Sequence, residues 1–316
     1  MGIEEKRRNR HKFWVKLKRQ RVLQIFAWAG IIYLLIFNYA PMAGILVAFK
    51  KYSIKDGFWG IFTNEWAGLK YFREFFSDYM CWPVIKNTLI ISFLKILTSF
   101  PAPILLAIML TEVRNRHFKK FVQAVSYLPY FISWVIVGAF VYNIFNYETG
   151  LMNGWLTSLG MEKVNVYSMP WVWPIIICCF NAWKWCGYNS IIYIAAITGI
   201  DGECYEAAQI DGANIFQRIW YITLPCIKPT VITMLLLQVG RILRGDFEMF
   251  YQIVGNNGQL YNATDVIDTY VFRSLMQNSN LGMTAAATFY QSILCFIIIM
   301  LVNAVVKKID EDYALF

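Results

Sequence analysis

Of 316 residues, 58% belong to the set AVILMFWYC and only 16% are charged, against about one quarter charged in an ordinary globular domain. Repeated apolar runs of span length rule out a single water-soluble core and point to a polytopic membrane protein. The net charge of +9 is concentrated in two short stretches, which fits cytoplasmic flanks of membrane spans and speaks against a nucleic-acid-binding surface.

The first 22 residues form a basic arm, with nine Lys and Arg interleaved with Phe13, Trp14, Val15 and Leu17. Such an arm suits a helix lying on anionic headgroups. Six apolar runs follow. They are Leu23–Phe49, Asn87–Leu110, Val122–Phe145, Trp171–Ile200, Thr230–Val254 and Thr284–Val306, each long enough to cross a bilayer as a helix. Residues 23–316 therefore read as one all-α membrane domain, and no linker divides it. The second basic stretch, 112–120 (EVRNRHFKK), falls between the second and third runs, so Lys and Arg favour the segments on the N-terminal side. Both termini are then expected in the cytosol.

Between the first two runs, 66–79 (WAGLKYFREFFSDY) carries Phe72, Phe75, Phe76 and Tyr79 at helical spacing and predicts an interfacial helix. The prolines of FPAPI, Pro101 and Pro103, predict a kink in the second run. Asp265 to Gln277 predicts a short helix before the last run. The seven cysteines form no CxxC and read as small apolar residues. No GxxxxGK[ST] occurs and no Gly precedes Lys; His11 and His117 lie apart from any carboxylate or cysteine cluster. No enzymatic activity, cofactor or metal is therefore expected of this chain.

Ionisable groups inside spans each cost about 2.5–3.5 kcal/mol on insertion scales. Read as one helix, the fifth run places Gln238, Arg241, Arg244, Glu248 and Gln252 on a single face, with Asp246 pointing elsewhere. The stripe either packs on neighbouring polar groups, with Arg244 and Glu248 as an i,i+4 pair, or lines a solute path. In the fourth run FNAWKWCGYNS brings Trp183, Lys184, Trp185, Tyr188 and Asn189 together. Flat rings beside hydrogen-bonding groups suit a sugar, and helix packing is the plainer alternative. Lys95 and Trp134 read as structural.

The segment 201–225 is polar in an apolar chain. Asp201 can cap a helix over 202–210, Asp211-Gly212 breaks it, and Asn214 can cap a second helix that Leu224-Pro225 ends. The apolar residues of this helix–turn–helix exceed what it can bury on itself and predict a protein partner.

The stretch EAAQIDGANIFQRIWYITLP (206–225) resembles the EAA signature of ATP-binding-cassette (ABC) importer permeases through Glu206, Ala207, Ala208, Asp211, Gly212, Ala213, Ile222, Leu224 and Pro225, with Tyr205 alongside. NYAPMAGILVAFKKY (38–52), the stretch 112–135, GYNSIIYIAAITGID (187–201) and DVIDTYVFR (265–273) resemble LplB-like sugar permeases, often encoded in Firmicutes. That resemblance implies six transmembrane helices of the type I importer (MetI-like) fold in the plasma membrane of a Gram-positive bacterium. The implied partners are a second homologous permease, an extracellular solute-binding lipoprotein and two ATPase subunits that bind ATP and Mg and dock on 201–225. The implied cargo is an oligosaccharide or glycan. Arg241 and Arg244 are unusual for that family and suggest acidic or branched cargo. A permease for a non-sugar solute is the alternative, and an ion-coupled secondary transporter the more distant one.

Overall fold

The computed structural model describes residues 20–244, 246–278 and 280–309, with Glu311 and Ala314; most of the basic arm expected at 1–22 lies outside the described residues. The described residues are helical throughout, joined by loops and one isolated bridge between Lys50 and Trp66. The chain divides into two compact units: the chain up to Phe72 with Leu281–Ala286, and Arg73–Asn280 with Ala287–Phe316.

In the first unit, α1 (Arg21–Phe49) is a helix of 29 residues with almost every side chain exposed. Pro41 does not stop it. A proline lacks the N–H donor and its ring crowds the carbonyl four residues back. A π-turn at Leu35–Tyr39 widens the helix there and absorbs the clash. The loop returns through α2 (Gly57–Thr63), with Phe49 stacked on Trp66 at 5.6 Å. A Cβ on Gly282 would lie 2.4 Å from the Tyr71 ring, so the start of the last helix needs glycine where it meets Tyr71.

The helix predicted at 66–79 is shorter, α3 (Lys70–Ser77). In the second unit its Phe75 is fully buried against Tyr270 and Tyr290, so this face is core. Next come α4 (Cys81–Glu112), one span whose helix is interrupted at Phe100, just before Pro101, as the FPAPI prolines predict, α5 (Arg116–Phe131), α6 (Trp134–Phe145) and α7 (Leu151–Ser158). Then follow α8 (Trp173–Thr198), α9 (Gly202–Ile210) and α10 (Ile215–Val239), and after them α11 (Phe247–Val254), α12 (Tyr261–Thr264), α13 (Ile267–Asn278) and α14 (Leu281–Ile309). Trp134, Val137, Trp173, Ile177, Met249 and Phe250 form one core where α6, α8 and α11 meet. Ala107, Ile108, Tyr193, Ile197 and Ile227 form another where α4, α8 and α10 meet.

Three expectations about the runs change. The third run, Val122–Phe145, is not one rod: α5 and α6 meet at 97°. Pro129 removes a donor near the end of α5, and Ser133 is extended (ψ 153°) where α6 begins. The fifth helix is offset from Thr230–Val254. It starts at Ile215, stops at Val239, and tight turns over 240–244 come between it and α11. Leu224-Pro225 does not end the helix that Asn214 caps, because a π-turn at Ile219–Thr223 accommodates Pro225 as the one in α1 accommodates Pro41. Among the described residues four helices are long and apolar enough to cross a membrane, five if the bent pair counts as one span. The 26-residue α8 is long enough, but a polar, aromatic middle dilutes its hydropathy.

Candidate functional site: a polar cavity and an exposed helix–turn–helix

The middle of α8 presents three faces. The first turns to α5. A Cβ on Gly187 would sit 1.9 Å from the Ser126 carbonyl oxygen, so only glycine permits this approach of the two backbones. On the same side Lys184, 5% exposed, reaches the open end of α5 and donates to the carbonyls of Pro129 (3.2 Å), Tyr130 (3.1 Å) and Ile132. Helix ends leave carbonyls without intrahelical donors, and here one ammonium spends its three hydrogens on them. It also lies 5.1 Å from the centre of the Trp134 ring.

The second face carries aromatics. Tyr188 stacks on Tyr130 at 4.1 Å, and Trp183 is 42% exposed with its ring edge against Phe180. The third face, Asn181, Trp185 and Asn189 at i, i+4 and i+8, lines a cavity of about 690 Å³. Asn181 is fixed there by donating to Ser99 Oγ at 2.8 Å.

Across the cavity stand Lys95 of α4, Gln238 near the end of α10, and Arg241, Arg244 and Asp246 of the following turn. The turn is held from two sides. Trp134 Nε1 donates to the Asp246 carboxylate at 3.1 Å, and Gln291 of α14 donates to the Leu243 carbonyl and to Asp268. The single-face stripe over 238–252 is therefore corrected, because the helical phase ends at Val239. Asp246, expected to point elsewhere, lines the same cavity as Arg241. Glu248 and Gln252 belong to α11 and do not line it, and no Arg244–Glu248 pair forms among the described residues. A Cβ on Gly138 would come 2.4 Å from the Gln252 carbonyl, which marks α11 as packed tightly on α6.

Of the sequence candidates, the cavity gathers Trp185, Asn189, Gln238, Arg241 and Arg244, and leaves out Trp183, Lys184, Tyr188, Glu248 and Gln252. Residues that sequence reasoning missed are Lys95, Asn181, Ser99 and Asp246. A lone lysine in an apolar run was the signal available for Lys95.

The polar segment folds from local signals. Asp201 caps α9 by accepting from Glu203 N at 3.0 Å. Gly212 takes the left-handed conformation (φ 77°), with Ala213 N bonded to Ala208 O and Gly212 N to Gln209 O. That pattern is the Schellman termination of a helix. Asn214 and Gln217 then exchange side-chain bonds with each other's backbone N–H, a capping box that opens α10. Tyr205 bonds Thr223 at 2.9 Å across the two helices, and Arg218 pairs with Glu112 at 3.3 Å. Glu206, Ala207, Asp211 and Pro225 are exposed, and Ala208, Ala213, Ile222 and Leu224 are half-buried. Ile210, Phe216 and Trp220 stand in the open at 86%, 82% and 68% exposure. Beside them Ala208, Asp211, Gly212, Arg218 and Ile222 line a cleft of about 260 Å³.

A polar cavity among long apolar helices, joined by one helix to an exposed, apolar helix–turn–helix, defines the transmembrane subunit of a transport system. Residues 99–311 match the family described as binding-protein-dependent transport system inner membrane component, and the chain belongs to that family. It is 37% identical to the protein LplB of Bacillus subtilis (strain 168), over 94% of this chain and 92% of that one. It is also 37% identical to the polygalacturonan/rhamnogalacturonan transport system permease protein YteP of the same organism, over 97% of this chain and 94% of that one. Among solved structures it is similar to a chain of a bacterial ABC transporter involved in the import of the acidic polysaccharide alginate. There the TM-score is 0.85 at 35% identity, covering 95% of this chain and 99% of that one.

Proposed function

We propose that this chain is the permease subunit of an ABC importer for oligosaccharides, and that its solute crosses by alternating access through the cavity between α4, α8 and α10. The observation that carries the reading is the helix Ile215–Val239. One end belongs to the exposed EAA-like segment and the other opens on Gln238 and Arg241. Residues 205–225 dock on an ATPase subunit, with Glu206 meeting a basic group and Ile210, Phe216 and Trp220 entering a groove. ATP and Mg are held by two such subunits. A second, homologous permease completes the path, and an extracellular solute-binding lipoprotein delivers the cargo. The apolar runs and basic flanks support six spans with both termini in the cytosol, and the Bacillus relatives support a Gram-positive cell. An oligosaccharide suits the cavity, since Trp185 offers a flat apolar face and Asn189 and Gln238 offer amides to a hydroxylated rim.

The test is reconstitution of the complete transporter in lipid, with ATP hydrolysis followed as solute-loaded binding protein is added. Stimulation is expected, and its loss in Glu206→Lys with assembly intact. Hydrolysis indifferent to the loaded protein, or uptake driven by an ion gradient, would overturn the reading.

A further inference from the structure

Membership in a sugar-importing family leaves the charge of the cargo open, and the cavity itself addresses it. Several buried or half-buried cations are satisfied inside the fold. Lys184 spends its donors on three carbonyls, Arg218 is paired with Glu112, and Arg273 is paired with Asp265. In contrast, among the described residues no hydrogen bond or ion pair ties the head groups of Lys95, Arg241 or Arg244, and all three line the one cavity. The acidic group that shares the lining, Asp246, already accepts from Trp134, and nearby Asp268 accepts from Gln291. Three cations thus face one carboxylate in a space walled by apolar helices. An unpaired cation at membrane depth is costly, and the groups that meet this cost mark ion or substrate paths.

We propose that Lys95, Arg241 and Arg244 form an anion-selective site, so that the transported oligosaccharide carries carboxylates, as a chain of uronic acids does. The proposal rests on the cavity being the solute path. The two guanidinium groups lie three residues apart in a turn whose geometry Trp134 and Gln291 hold from both sides. A planar guanidinium fork matches a carboxylate through two parallel hydrogen bonds. Trp185 and Asn189 of α8 line the same cavity and take the sugar ring, so ring and acid are read from different elements. A neutral sugar would leave three cations facing the single carboxylate of Asp246 in the cavity.

The experiment measures initial uptake by the complete transporter in proteoliposomes, with tetragalacturonate and its fully methyl-esterified form as probes of one length and opposite charge class. The acid is expected to be taken up at least tenfold faster. Arg241→Gln and Arg244→Gln should each lower acid uptake by about tenfold or more, the weight of a charge-assisted hydrogen bond, and change ester uptake by a much smaller factor. Arg241→Lys and Arg244→Lys should restore part of it. Assembly of each variant is checked by size-exclusion chromatography of the complex.

Preference for the ester, with the Gln variants reducing its uptake, overturns the charge assignment and leaves the path in place. Uptake of the acid unaffected by the Gln variants overturns the path as well. Loss of assembly in the Gln variants with acid uptake per complex preserved shows that the cations serve the interface with the second permease, and that also overturns the site. Uptake of neither probe counts against it equally.

Discussion

Replacing Lys184 by Met separates a structural from a solute-binding role for the one lysine that the aromatic stretch of α8 contains. Met keeps the length and apolar stem and removes the charge and all three donors. The structure assigns those donors to the carbonyls of Pro129, Tyr130 and Ile132 at a site 5% exposed. Hydrogen bonds to a charged group contribute about 1.5–3 kcal/mol each. Three that share one ammonium do not add in full, and breaking a buried charged network typically costs about 3–5 kcal/mol. The Trp134 ring at 5.1 Å adds about 0.5–2 kcal/mol of cation–π attraction. At about 2–4 °C per kcal/mol for a domain somewhat smaller than this chain, the apparent melting temperature should fall on the order of 10 °C. The assay is heat-step aggregation of the purified complex, read by fluorescence-detected size exclusion beside the uptake rate of the surviving fraction. A Lys184→Met complex that melts as wild type and changes cargo selectivity would refute the reasoning and return Lys184 to the solute path.

Three further outcomes follow from the geometry. Gly187→Ala puts a methyl 1.9 Å from the Ser126 oxygen, so α5 and α8 must part; overpacking of this kind costs about 1–3 kcal/mol or more, and yield of assembled complex should drop in a thermal-stability screen. Gly212→Val meets no neighbour within 4 Å, but its φ of 77° is strained for a β-branched residue by about 1–2 kcal/mol; uptake and coupled ATP hydrolysis should fall together, and Gly212→Asn, which tolerates that conformation, should retain both. Glu112→Gln weakens the bond from Arg218, which is half-buried and spans the end of α4 and the start of α10; the expected loss is about 1 kcal/mol or more, measured as earlier proteolytic cleavage within 201–225.

The helix–turn–helix was legible because its signals are local. Asp201, Gly212 and Asn214 each act within a few residues of themselves, and each takes in the structure the cap or turn its chemistry allows. The breaks in the spans were not legible for the opposite reason. Hydropathy runs unbroken through Ile132-Ser133, and what stabilises that break is Lys184, more than fifty residues away. The turn that follows Val239 likewise depends on Trp134, which holds Asp246, and on Gln291, which holds Leu243. A helical wheel drawn through 238–252 therefore assigned Glu248 and Gln252 to a face they do not share with Arg241 and misplaced Asp246. On α8 the phase is continuous, and of the residues singled out there Trp185 and Asn189, at i and i+4, line the cavity. It could not tell Lys184 from them, because which side of a helix meets a partner is a tertiary fact.

The offset of the fifth helix matters for the proposed coupling. Had the helix run from Thr230 to Val254, with a proline stop at Pro225, the ATPase-docking segment and the cavity cations would sit on separate elements joined by a hinge, and a push on one need not reach the other. The π-turn at Ile219–Thr223 removes that hinge. From Ile215 to Val239 the chain is one helix of 25 residues, about 37 Å long at 1.5 Å per residue. Ile215 follows the Asn214 cap at its cytosolic-type end, and Gln238 lies one residue before its other end, with Arg241 and Arg244 in the turn that follows. A tilt of a few degrees about the middle of such a rod displaces both ends by an ångström or more in opposite directions. Under the proposed coupling, motion imposed at 205–225 would be delivered where the guanidinium groups face the cavity, and the turn that follows Val239 would let them shift without dragging α11, which Gly138 lets pack closely on α6.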